Sequence, residues 1–437
     1  MNRLRIHGGR VLDPADGLDQ VADLYIADGR IVSIGKAPEG FRPDREIDAG
    51  GLAVCPGLVD LAAHLREPGA EHKANIASEV LAAAGGGITA LCASPATDPV
   101  TDTTAVVELV TRRARQAQRS RVMPLGALTR GLEGQLISEM AALKGAGCVA
   151  VSDGGRPILN TLVLRRAMEY AATQDLLVML TPVDPYLSDG SWMHEGWVST
   201  RLGIAGIPVA AETAGLARCM ALVEETGARV HFGRLSSGRG AAMVARARAE
   251  GLPVSADVAM HQLFLSEMDV SGFNSQCHVM PPLRSHADRE ALLASLDRGD
   301  GKGGIQAICS DHQPHEPDAK AVTFVASEPG ISGLDTLLAL ALRLADDGKL
   351  GLLQVLALVT VAPSRILGLP GGRIAPGAPA DLCLFNPDTP WWLDAANMRS
   401  RGGNSPFLGW EFNGRVRMTL LSGRVIFDAA NEGGPPA

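Results

Sequence analysis

Apolar and polar positions alternate in two different rhythms along the chain. At the amino-terminal end the rhythm has period two. Val21-Ala22-Asp23-Leu24-Tyr25-Ile26 runs into Asp28-Gly29, a tight-turn pair, and then into Arg30-Ile31-Val32-Ser33-Ile34. Two short alternating runs joined by Asp-Gly predict a β-hairpin. The last sixty or so residues read the same way. Ala380-Asp381-Leu382-Cys383-Leu384-Phe385 stops at Asn386-Pro387, and Val416 to Leu421 turns at Ser422-Gly423 into Arg424-Val425-Ile426-Phe427. Each end alone buries too little surface to be stable, so the two together predict one composite β module. Between them, apolar runs near 57–64, 87–94, 122–128, 148–153, 176–182, 229–235, 252–258 and 304–311 alternate with helix-like stretches such as Ile76 to Ala84, Leu162 to Ala172 and Ala287 to Leu296. Eight strands alternating with helices predict an α/β fold of the parallel (β/α)8 TIM-like barrel type, with an open doubly wound sheet as the alternative. The expected organisation is a β-sandwich part over 1–55, a barrel over 56–368, a second β-sandwich part over 369–430 and a disordered tail at 431–437.

Composition narrows the function classes. Of 437 residues 46 % are apolar and 20 % charged, which excludes global disorder. Forty Lys and Arg against 48 Asp and Glu give a formal charge of −8, so a generally basic nucleic-acid binder is not expected. Aromatics at 4 % make base-stacking platforms improbable. No run of 18 apolar residues occurs, so no membrane span is expected, and Met1 to His7 lacks a secretory apolar stretch. The seven cysteines (Cys55, Cys92, Cys148, Cys219, Cys277, Cys309, Cys383) are odd in number, and no pair has zinc-knuckle or redox spacing. Reduced, buried thiols in a cytoplasmic protein are the expectation, with one reactive thiol kept open.

In a barrel, chemistry sits at the carboxyl ends of the strands. The first strand ends in Asp60-Leu61-Ala62-Ala63-His64-Leu65-Arg66-Glu67-Pro68-Gly69, and the eighth in Asp311-His312-Gln313-Pro314-His315. Together with Pro281-Pro282-Leu283-Arg284, Gly330 to Thr336, Ala380-Asp381-Leu382 and Ser405-Pro406-Phe407, these segments resemble the dihydroorotases of the amidohydrolase superfamily along nearly the whole chain. That resemblance implies a barrel flanked by a composite β module. It also implies one or two metal ions, usually zinc, closing a ureido acid to a cyclic amide in pyrimidine synthesis.

The same alignment shows erosion of the metal site. The family places His-x-His at the end of the first strand, where residues two apart share a face and both reach one ion. Here those positions are Ala62 and His64. The family histidine after the fifth strand is Thr181, and the second histidine of His-x-x-His on the sixth strand is Arg234, following His231. A methyl group cannot ligate, and a guanidinium has no free lone pair and adds positive charge. His64, Asp153 and Asp311 remain as vestigial ligand positions, Asp311 matching the family's catalytic base. Arg66 and His315 match the family's substrate contacts and stand here as vestigial groups, whereas Ala96 and Met280 replace asparagines. Two carboxylates in a pocket without a metal need another counter-charge. Arg234 is therefore expected to pair with Asp311, Asp153 or both.

The resemblance then implies a non-catalytic dihydroorotase-like chain, a pseudo-enzyme of the family with no cofactor. Such chains assemble with aspartate carbamoyltransferase catalytic chains in a hetero-oligomer; self-association stays open. One rival is an active cyclic amidohydrolase with a single zinc ion on His64, Asp153 and Asp311. Another is a sensor binding an anionic metabolite between Arg66 and Arg234. His231 and His261 are expected as hydrogen-bonded core residues. The basic run Arg112-Arg113-Ala114-Arg115 with Arg119 and Arg121 is expected as a solvated helix face, and Trp391-Trp392 as packing or an interface anchor.

Overall fold

The structure, a computed structural model, describes residues 3–431. Apart from Asn431, the expected disordered tail lies outside the described residues. Eight strands, Leu58–Ala63, Ile88–Ala93, Arg121–Ala127, Ala150–Ser152, Leu177–Leu180, Val230–Phe232, Val254–Ala259 and Ala307–Cys309, form one sheet in chain order, every ladder parallel. Helices such as Ile76–Gly85, Thr161–Thr173 and His286–Ala294 separate them. With both faces covered, the strands carry continuous apolar runs instead of alternation. Leu61, Cys92, Leu125 and Met179 fill the interior. The barrel closes at its carboxyl end, where His64 N donates to His312 O at 2.8 Å and His312 N to Ala62 O at 3.1 Å. This stitch joins the end of the first strand to the turn after the eighth.

The β module is a two-sheet sandwich. Its six-stranded sheet runs Arg424–Asp428, Arg415–Leu421, Leu382–Asn386, Ala53–Pro56, Arg10–Asp13, Leu18–Val21, so three strands from the late end of the chain and three from the early end meet at one seam to make one surface. A four-stranded sheet, Arg30–Ile34, Leu24–Ala27, Arg3–His7, Arg45–Asp48, packs on it through Leu4, Ile6 and Ile26 against Val54, Leu382 and Leu420. The hairpin at Asp28-Gly29 has positive φ at both residues (50° and 78°), as its twist requires. The opposite face of the larger sheet joins the barrel core through Leu12, Cys55, Phe385 and Phe427.

Arg112, Arg113 and Arg115 lie exposed on their helix as expected, whereas Arg119 and Arg121, which follow the helix, join the barrel to the β module, and for those two the expectation is corrected. Arg121 Nη1 lies 3.2 Å from Asp381 Oδ2, and Arg119 donates to Ile426 O. Arg113 reaches Glu67 at 3.3 Å. Trp391 packs on Phe412 with ring centroids 5.4 Å apart, while Trp392 is exposed. Among the described residues no helix is long and apolar enough to cross a membrane.

A buried polar cluster locks the barrel to the stretch between the last sheet strands. Helix Ile76–Gly85 is capped by Asn75, whose side chain accepts from Ser78 N at 2.9 Å. On its first turn, Glu79 accepts from His312 Nε2 at 2.7 Å, Ser400 Oγ at 2.6 Å and Arg401 N at 3.2 Å. His312 Nδ1 accepts from Gly333 N at 3.1 Å, which leaves the proton on Nε2. Glu79→Ala leaves the His312 Nε2–H and the Ser400 hydroxyl proton without their acceptor in a buried place. A loss of about 3–5 kcal/mol is expected, read as a lower denaturant midpoint; an unchanged midpoint contradicts this role.

Candidate functional site

The strand ends converge on Arg234, one residue past the Gly233 that follows the sixth strand. Its φ is +61°, a left-handed conformation held by its own backbone N donating to Asp257 Oδ1 at 2.6 Å. That geometry turns the side chain inward across the barrel mouth, where it is 13 % exposed. Nη1 lies 3.1 Å from Asp311 Oδ1, and Nη2 donates to Thr181 Oγ1. Burial opposes the charge on Arg234, but the adjacent Asp311 outweighs it and the guanidinium is held above its ordinary value.

The two aspartates are used differently. Asp153 takes backbone donors on both oxygens, Gly155 N on Oδ1 and Thr181 N on Oδ2, each at 3.0 Å. It ties the fourth strand end to the fifth and makes no ion pair with Arg234. Burial pushes its carboxyl up to about 6, against those N–H groups. Asp311 has φ +47°. Its Oδ1 accepts from Arg234 and from Gln313 Nε2 at 3.2 Å, while the buried Oδ2 has no partner among the described residues.

Around this pair the other positions fall into place. Ala62 presents its methyl group, and His64 lines the cavity with its imidazole well below the usual range because of burial and then the charge of Arg66. His231 sits in the core between Ser255 Oγ at 2.8 Å and Asp257 Oδ2 at 2.9 Å. His261 is buried too, but its Nε2 lacks a partner, which corrects the expectation of a satisfied core histidine; burial lowers it to about 4. Arg66 donates Nε to Pro314 O at 3.0 Å and sets Nη2 3.0 Å from His315 Nε2. His315 in turn lies 3.2 Å from Lys73 Nζ, and burial lowers its imidazole to about 3. Arg66 and Arg234 thus have separate hydrogen-bond partners, and both charges act on His64. Ala96 sits in a turn, its N donating to Ser94 Oγ at 3.3 Å. Met280 lines a cavity of about 190 Å3 together with His64, Thr181, Arg234, Arg284 and Gln313.

These residues do not fit a divalent ion. Asp153 has given both oxygens to backbone donors, Asp311 has given one to a guanidinium, and that guanidinium would repel a cation at close range. Among the described residues no three His, Cys, Asp or Glu side chains form a set able to hold a metal. The cysteines offer no alternative, because all seven are buried and burial pushes Cys148, Cys219 and Cys277 up to about 12. Sequence reasoning passed over Asp257, which orients both His231 and Arg234. Its signal was a lone carboxylate inside the apolar strand Val254–Ala259. Gln313, the second donor to Asp311, carried no comparable signal.

A sequence model of the Dihydro-orotase-like family matches residues 51–239, and one of the Amidohydrolase family matches 318–427. A dihydroorotase-like protein of Pseudomonas aeruginosa is 50 % identical over 425 residues, covering 97 % of this chain and 99 % of that one. A dihydroorotase of Citrifermentans bemidjiense is 42 % identical over 429 residues, covering 98 % and 100 %. The L-hydantoinase (dihydropyrimidinase) of Arthrobacter aurescens shares the fold, with a TM-score of 0.85 at 23 % identity over 98 % of this chain and 96 % of that one.

Two measurements test the electrostatics. Arg234→Met leaves Asp311 buried and unpaired, so a loss of about 3–5 kcal/mol is expected, largely recovered in Arg234→Met/Asp311→Leu. Equal loss in the single and double variants counts against the pair. For His261 the folded value near 4 lies below the unfolded 6.5. Its contribution is therefore present above pH 6.5 and lost as pH falls towards 4, by up to about 3 kcal/mol. His261→Gln is expected to lose less stability than wild type between pH 7 and pH 4, and an identical acid limb contradicts the assignment.

Proposed function

The chain belongs to the dihydroorotase-like family of amidohydrolases, and from that premise we propose that it is a non-catalytic member serving as an assembly subunit of aspartate carbamoyltransferase in pyrimidine biosynthesis. The observation that carries the catalytic half is Arg234 Nη1 at 3.1 Å from Asp311 Oδ1. A general base must be free to take a proton from a reacting group, and the ligands that hold a Lewis-acid metal must present free lone pairs. Here the family's base position is paired to a cation, and three ligand positions hold Ala62, Thr181 and Arg234. The assembly half rests on the family resemblance, in which non-catalytic chains of this kind partner the carbamoyltransferase.

The rival, a mononuclear zinc amidohydrolase on His64, Asp153 and Asp311, requires Arg234 to leave Asp311 and Asp153 to release Gly155 N or Thr181 N. Purified protein is expected to contain far less than one zinc per chain and to hydrolyse no dihydroorotate above the blank with zinc added. Ala62→His/Thr181→His/Arg234→His is expected to gain about one ion per chain. Mixing with purified carbamoyltransferase catalytic chains is expected to give a species heavier than either alone. Stoichiometric zinc with turnover in the wild type overturns the catalytic half, and no heavier species overturns the assembly half.

A further inference from the structure

Three segments next to the cavity leave an unusual amount of apolar surface in water. Tyr186 is 78 % exposed, Trp197 61 %, Met268 53 % and Phe273 52 %, with Trp192 and Val325 beside them. Contacts join the segments into one face. The Trp192 ring lies 6.1 Å from that of His278, which lies 4.8 Å from Phe324, the neighbour of Val325. Arg201 stacks on Trp197 at 4.6 Å and donates to Ser271 Oγ at 3.0 Å, two residues before Phe273. The face borders the cavity mouth, because Pro182 and Val183 lead into Tyr186 and Met280 follows His278, all three lining it. Contiguous exposed aromatics of this kind mark protein interaction sites.

The charge around the face selects the occupant. Stretches 184–205, 264–278 and 316–328 carry three, two and three carboxylates, against the cations Arg201 and Lys320. Lys320 is buried, and Arg201 is engaged within the face. Glu316 and Glu328 are answered by Lys73 at 3.7 and 2.5 Å. The exposed Asp189, Glu195, Asp269 and Asp318 have no ion pair among the described residues. We infer that this face docks a protein surface presenting an apolar anchor flanked by Lys and Arg side chains. A second copy of this chain would bring the same carboxylates together, which like-charge repulsion opposes. On the assembly reading above, on which this inference rests, that surface belongs to the carbamoyltransferase catalytic chain, and the docked partner covers the barrel mouth.

The test mixes the full chain with the purified carbamoyltransferase catalytic chain and measures affinity by sedimentation. Trp197→Ser/Phe273→Ser removes anchors, Asp189→Lys/Glu195→Lys reverses charge, and Val21→Ser alters an exposed apolar residue on the β module. The first two are expected to weaken the complex by about tenfold or more with melting temperature unchanged, and Val21→Ser to leave it intact. A complex indifferent to both face variants overturns this inference while the assembly reading stands. Absence of any complex with the wild-type chain overturns both. Sensitivity to the anchor variant alone overturns the basic partner. Self-association of the chain that Trp197→Ser/Phe273→Ser abolishes assigns the face to a second copy, and overturns it too.

Discussion

A buried carboxylate must be answered by positive charge or by N–H donors, and for Asp311 at the mouth of this barrel the answer is a guanidinium. Asp311 stands where the family keeps its base, and one of its oxygens is held by Arg234. Isolated ionised groups in such a place are too costly to persist. The left-handed backbone at Arg234, its N–H on Asp257, and the Thr181 hydroxyl that receives its second nitrogen all serve to aim one cation at one anion.

A guanidinium and a metal ion can each balance a carboxylate, but they differ chemically. A metal ion offers exchangeable sites to water and substrate, whereas a guanidinium offers fixed N–H donors in a plane and accepts nothing. The net charge of the pocket can therefore stay similar while its reactivity changes. Asp153 is held without a cation, both its oxygens serving backbone N–H groups at neighbouring strand ends.

Much of the architecture was legible because it rests on period. The eight apolar runs became the eight barrel strands, with ends shifted by a few residues, and the Asp28-Gly29 hairpin formed where its turn chemistry placed it. The ligand positions were legible for a different reason, since residue type at a strand end fixes what can coordinate. What stayed hidden was long-range pairing. Nothing local in Arg119 and Arg121 distinguishes a solvated helix face from a bond to the far chain end, and nothing in Glu79 announces Ser400. Asp153 and Asp311 looked equivalent as sequence, and only the backbone around each decided which one Arg234 would meet.

The sheet shared by the two chain ends has a consequence for synthesis. Its central neighbours, Ala53–Pro56 and Leu382–Asn386, flank the entire barrel in the sequence, yet they hydrogen-bond to each other. During translation the earlier strands must wait with an open edge until the barrel has emerged and the later ones arrive. Such non-local pairing folds slowly and leaves the nascent chain exposed to mispairing. The interval between the emergence of the early strands and the arrival of their partners is when a chaperone has most to protect.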